Sequence, residues 1–142
     1  MLGWWHRFRN PPASAAPAHI VKGERGEEAA ARYLRRRGYK ILTRRFHGKH
    51  GEIDLVARDG AVLAFVEVKT RGSDRFGAAA DAVNRDKQRH LASCAREYLR
   101  LLGNPRIPVR FDVVEVYMDE AGTAGEVRLI QGAFATRQPF SD

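Results

Sequence analysis

Two acidic residues stand inside runs that otherwise belong in a protein interior. Glu52-Ile53-Asp54-Leu55-Val56-Ala57 and Ala61-Val62-Leu63-Ala64-Phe65-Val66-Glu67-Val68-Lys69-Thr70 read as neighbouring strands, joined by the Asp59-Gly60 pair of a tight hairpin turn. The apolar part of the second run is long enough for a strand covered on both faces. The two-residue period of a strand puts Leu63, Phe65, Glu67 and Lys69 on one side of it. As hairpin neighbours, the strands can bring Asp54 and Glu67 to a common face. An ionised carboxylate withdrawn from water is costly unless a cation compensates, and two together repel. Lys69 offers one positive charge to two acids. Mg²⁺ suits the remainder, because it is a hard ion held by one or two carboxylates with its other positions left to water and phosphate oxygens. An ion so held can activate water and offset charge developing on a phosphate, which points to phosphodiester cleavage. A solvated Glu67-Lys69 pair is the ordinary reading of Glu-x-Lys taken alone.

The surrounding pattern adds two more inward groups. A helix is expected over residues 22–37, closed by Gly38, with Ala30, Ala31 and Leu34 on its buried side and Glu27 on that same side. Glu28 groups instead with Arg32 and Arg35 as a solvated ion-pair face. A second helix is expected over residues 84–102, with Leu91, Cys94, Ala95, Tyr98, Leu101 and Leu102 as its apolar stripe. Lys87 falls one turn before Leu91 on that stripe, and Gln88 lies on its flank. Strands over residues 39–46, 107–118 and 127–134 complete the order helix, three strands, helix, two strands. Residues 1–20 carry Pro11, Pro12 and Pro17 and read as a disordered tail, whose Trp4, Trp5 and Phe8 among arginines could add a weak nucleic-acid contact. Residues 21–142 read as one domain.

Charge narrows the class of partner. The 142 residues carry +8, and residues 1–50 hold 12 Lys and Arg against 3 acids. Residues 51–100 hold 9 bases and 8 acids, so the excess belongs to the first third. A one-sided positive field favours phosphate backbones through Coulomb attraction and counterion release. No run of 18 apolar residues occurs, so no membrane association is expected. The single cysteine, Cys94, excludes an internal disulfide or a cysteine-rich zinc site and makes a reducing cytoplasm the expected compartment.

The strings Gly26-Glu27-x-x-Ala30-x-x-Tyr33-Leu34-x-x-x-Gly38-Tyr39-x-Ile41-Leu42, Gly51-Glu52-Ile53-Asp54-Leu55-Val56-Ala57-x-Asp59-Gly60 and Phe65-Val66-Glu67-Val68-Lys69-x-Arg71 occur in that order. Phe76-Gly77, Ala82-Val83, Lys87-Gln88 and Arg110-Phe111-Asp112-Val113 follow. Over about residues 22–116 this set closely resembles the YraN-like proteins, the uncharacterised bacterial protein family 0102. That family in turn looks like a branch of the PD-(D/E)XK nucleases, similar to archaeal Holliday-junction resolvases and restriction endonucleases. The resemblance implies an α/β, restriction-endonuclease-like core with a mixed five-stranded sheet flanked by helices. It implies Asp54, Glu67 and the Val68 carbonyl as Mg²⁺ or Mn²⁺ ligands, with Glu27 completing the cluster. Lys69 would orient or deprotonate the attacking water, and Lys87 or Gln88 would contact the scissile phosphate or assist Lys69. Arg71 and Arg75 would contact backbone phosphates, as would the basic segment of Arg45, His47 and Lys49. Ile53 stands where the motif name has proline, and Arg45-Phe46-His47 stands where the family usually has Asn-aromatic-Arg. The implied function is a Mg²⁺-dependent endonuclease on DNA, with branched or structured DNA as the implied substrate and a homodimer as the implied assembly. The alternative is a non-catalytic nucleic-acid-binding or scaffold protein that retains the fold.

Two further constellations carry less. His47 and His50 near Glu52 suggest zinc only weakly, because their loop is glycine-rich and has no cysteine. Asp112 reads as a strand-end aspartate satisfying a turn.

Overall fold

The computed structural model describes residues 18–72 and 84–135. Helix α1 (Ala18–Arg36) is followed by strands β1 (Lys40–Gly48), β2 (Gly51–Asp59) and β3 (Val62–Gly72), helix α2 (Arg85–Leu101), and strands β4 (Val109–Met118) and β5 (Ala124–Phe134). The strands form one sheet in the order β1-β2-β3-β4-β5. All neighbours are antiparallel except β3 and β4, which run parallel. Parallel neighbours cannot be joined by a tight turn, and α2 lies in the connection between them. The result is the mixed, five-stranded α/β fold that the family resemblance implies.

The helices cover opposite faces of the sheet. Ala29, Ala30, Ala31 and Leu34 of α1 pack with Leu55, Ala57, Ala64, Val66, Val114 and Val116. Leu91, Ala92, Cys94, Ala95, Tyr98 and Leu99 of α2 pack with Ile53, Val56, Leu63, Phe65 and Phe111. Strand β3 is central, and Leu63 to Glu67 are all buried, as a strand covered on both sides requires. The α1 terminus is set by Gly38 at φ 92°, where the Gly38 and Tyr39 amides donate to the Arg35 and Leu34 carbonyls. Those two bonds form a Schellman cap, which turns the chain directly into β1.

Several boundaries differ from the sequence expectation. Helix α1 begins at Ala18, so residues 18–20 belong to it and not to the tail. Strand β1 continues through His47 and Gly48, which pair with Glu52 and Gly51, so only Lys49 and His50 remain in the turn. Leu101 is 56% exposed and drops out of the α2 stripe, whose C-terminal end is carried by Tyr98, Leu99 and Leu102 instead.

Candidate functional site

The site is built where β2 and β3 part. Their register runs from Asp59↔Val62 to Leu55↔Val66, and no pair continues it to Asp54. There the Asp54 side chain takes over from the backbone, with Oδ2 accepting the Val68 amide at 2.8 Å. Ile53 faces the α2 side and Leu55 the α1 side, so Asp54 sits where the chain changes faces. Opposite it on β1, Arg45 lies between the pairs Arg44↔Leu55 and Phe46↔Ile53 and has φ 52°. A left-handed arginine inside a strand is strained, and it re-aims the side chain.

That re-aimed guanidinium goes to α1. Arg45 Nε donates to Glu27 at 2.8 Å, and its Nη1 pairs with Glu24 at 3.3 Å. Glu27, Glu52 and Asp54 then present carboxylate oxygens within 4.8 Å of one another. Burial pushes the Asp54 carboxyl up to about 8; the Glu67, Glu27 and Glu52 charges add to this and the Val68 amide opposes it. Burial also raises Glu27, although Arg45 works against the rise. Glu28, by contrast, pairs with Arg44 at 2.6 Å on the outer face, which holds its carboxyl low.

Glu67 turns the other way, toward α2, and is only 6% exposed. Asn84 caps that helix by accepting the Lys87 amide at 2.9 Å, which fixes Lys87 in the first turn. Lys87 Nζ lies 2.5 Å from Glu67 Oε1, and Lys69 Nζ lies 3.6 Å from the same oxygen. Burial and the neighbouring Lys87 charge lower the Lys69 ammonium. Burial pulls Lys87 down too, but its contacts with Glu67 and Lys69 outweigh that and leave it raised. Lys69 is therefore the lysine that gives up its proton first.

Asp54 and Glu67 thus do not share one flat face. Asp54 joins Glu27 and Glu52 on the α1 side, Glu67 joins Lys69 and Lys87 on the α2 side, and the two groups interact across the fork. Gln88 is half-buried in the first turn of α2, its amide bonded to the Asn84 carbonyl. His47 is 72% exposed with Nδ1 3.2 Å from Glu52 Oε2. Lys49 is exposed, and its backbone amide donates to Glu97. Arg45, expected to meet phosphate, is engaged by two acids. Arg71 lies beside buried Glu115, with Nε 3.5 Å from Oε2. Arg75, Phe76-Gly77 and Ala82-Val83 lie outside the described residues.

Two residues read differently from their sequence. Glu52 entered only as a neighbour of His47 and His50, yet it completes the acid group. The signal available was its two-residue spacing from Asp54, which puts both on the face opposite Ile53. Asp112 is not a strand-end turn residue: it is buried within β4 and accepts from Arg110, Tyr39 and the Gly132 amide. Arg110 is two residues away, but Tyr39 and Gly132 lie far along the chain, so no local pattern could reveal the network.

Gly26 sets how closely α1 approaches this fork, because a Cβ there would collide with Thr70 Oγ1. Gly26→Leu is expected to cost about 1–3 kcal/mol by overpacking. Urea denaturation measures it, and unchanged stability would show that α1 can move aside.

The family model described as uncharacterised protein family UPF0102 matches residues 26–116. The chain belongs to this family. A UPF0102 protein of Symbiobacterium thermophilum is 53% identical over 114 residues, covering 79% of this chain and 94% of the relative. UPF0102 proteins of Caldicellulosiruptor saccharolyticus (43% identical, 79% and 95% covered) and Pelotomaculum thermopropionicum (40% identical, 84% and 99% covered) are also similar. The matched UPF0102 segment runs from the Gly26 contact into β4 and contains every acid and lysine of the fork. Among the described residues, no helix is long and apolar enough to cross a membrane.

Proposed function

We propose that this protein is a Mg²⁺-dependent endonuclease that hydrolyses phosphodiester bonds in DNA, with branched or otherwise structured DNA as the favoured form. The observation that carries the reading is the fork itself. An acid group of Glu27, Glu52 and Asp54 stands on one side and a Glu67-Lys69-Lys87 group on the other. The donor set fits the ion: carboxylate oxygens close to one another, with no thiolate among them, are what Mg²⁺ takes, and Mn²⁺ accepts the same donors. The raised Asp54 carboxyl marks a group short of positive charge. Asp54, Glu67 and the Val68 carbonyl would hold the ion, with Glu27 and Glu52 beside them. When bound, the ion supplies charge to offset that developing on the phosphate and makes a coordinated water more acidic.

The protein's own residues divide the remaining work. Lys69, whose proton is held weakly, accepts a proton from the attacking water. Lys87 stays charged and faces the phosphate, with Gln88 next to it in the same turn. Arg45 holds Glu27 in place through its Nε bond. His47 and Lys49, exposed at the β1–β2 hairpin, and the basic outer face of α1 supply phosphate contacts.

The test compares wild type with Asp54→Ala, Lys69→Ala and Glu52→Gln on labelled linear, nicked, flapped and four-way DNA, with Mg²⁺, Mn²⁺ or chelator. Cleavage in wild type, its loss with chelator, and a drop of about 10²–10³-fold in the Asp54 and Lys69 variants are expected. Cleavage that persists in both variants belongs to a contaminant. Tight DNA binding with no cleavage under any metal condition would favour a scaffold role for the same fold.

A further inference from the structure

A second buried carboxylate lies on the lysine side of the fork. Glu67, Lys69 and Arg71 alternate along β3, and in the parallel register they stand beside Val113, Glu115 and Tyr117 of β4. Glu115 is therefore the immediate neighbour of Lys69 on the same face. It is 1% exposed, and among the described residues its Oε1 accepts no hydrogen bond. Its Oε2 receives the Tyr117 hydroxyl at 3.4 Å and has Arg71 Nε at 3.5 Å.

The same sheet shows what a closed arginine–carboxylate pair looks like. Arg110 meets Asp112 through Nε at 2.7 Å and Nη2 at 2.9 Å, one bond to each oxygen. Glu115 and Arg71 are oriented toward each other without closing in this way. A carboxylate buried for stability alone is expected to be satisfied, and one left partly unsatisfied calls for another role. Arg71 is 17% exposed, so its edge reaches the surface next to Lys69.

We infer that Glu115 is a positioning residue, aiming the Arg71 guanidinium at the DNA phosphate next to the one that Lys87 faces. This rests on the endonuclease reading above. The charge effect separates the two explanations of Glu115. Removing a buried negative charge should by Coulomb's law tighten binding to DNA, whereas loss of a positioning contact should weaken it.

Binding of a labelled duplex is measured by fluorescence anisotropy in chelator over a range of salt, for wild type, Arg71→Ala, Glu115→Gln and the double variant. Arg71→Ala is expected to weaken binding about tenfold and to flatten the salt dependence by about one phosphate contact. Glu115→Gln should reproduce most of that loss, and the double variant should lose little more than Arg71→Ala alone. Glu115→Asp, which keeps the charge but withdraws it by one methylene, serves if Glu115→Gln does not fold, and it too should weaken binding. Equal or tighter binding by the Glu115 variants, or losses that simply add, would overturn the inference while leaving the DNA reading intact. Wild type that binds no duplex at low salt would overturn both.

Discussion

Asp54→Asn is expected to stabilise the ion-free protein above neutral pH while removing the cleavage proposed above. The Asp54 carboxyl is held near 8 in the folded state by burial and by the charges of Glu67, Glu27 and Glu52. In the unfolded chain it titrates at about 4. Between those values the folded protein binds a proton that the unfolded chain has released, so stability falls as pH rises through this window and levels off above about 8. Four pH units would correspond to roughly 5 kcal/mol for an isolated group, and sharing of the repulsion with Glu67 brings the expected loss to about 2–4 kcal/mol. Asparagine keeps an oxygen for the Val68 amide and carries no charge, so the variant should show a flat profile from pH 5 to 9. Its melting temperature at pH 8.5 in chelator should exceed that of wild type by roughly 5–15 °C. Mg²⁺ or Mn²⁺ should narrow the gap by stabilising wild type alone. A variant less stable than wild type at pH 8.5 would mean that Asp54 is a net structural asset, and the cation-site reading would fail with it.

Asp112→Ala is expected to produce the largest loss of stability, about 3–5 kcal/mol. Asp112 is 1% exposed and takes three partners on its two oxygens besides the second Arg110 bond: Arg110 Nε at 2.7 Å, the Tyr39 hydroxyl at 3.0 Å and the Gly132 amide at 3.0 Å. Arg110 Nη2 also reaches Asp59 at 2.8 Å and the Tyr39 oxygen at 2.7 Å, and Gln131 donates to that oxygen as well. The network ties the α1–β1 link, the far end of β2, β4 and β5 together on the α1 side. Alanine would leave a guanidinium, a phenol and a backbone amide short of an acceptor in the interior, which is the costly way to break such a network. Urea denaturation gives the value directly. A loss under about 1 kcal/mol would show that Asp59 alone satisfies Arg110. Because none of these residues belongs to the acid group or the lysine group of the fork, Asp112→Ala should lower the folded fraction without changing the metal dependence of the cleavage proposed above.

Asp54 and Glu67 take different partners for a reason that chain order does not contain. Strand alternation correctly separates Glu67 and Lys69 from Val66 and Val68, and helical spacing correctly turns Glu27 inward and Glu28 outward. Both inferences depend only on the local period. The partnership of Asp54 with Glu52 and Glu27 depends on where β2 leaves β3 and on the left-handed Arg45 opposite, which shifts side chains between faces.

What the sequence determined by itself was the succession of elements, the β2–β3 hairpin and the family, because periodicity, turn residues and motif order are properties of short segments. Only the tertiary structure decided that Arg45 serves Glu27, that Glu67 is held by two lysines, and that Asp112 and Glu115 are buried beside arginines. Arg45 with Glu27, Lys87 with Glu67 and Arg71 with Glu115 join different elements, and the pairs within one strand, Lys69 with Glu67 and Arg110 with Asp112, are completed by partners from other elements. The choice of partner is made by electrostatics at the places where the sheet departs from regular pairing, and those departures appear only once the elements have packed.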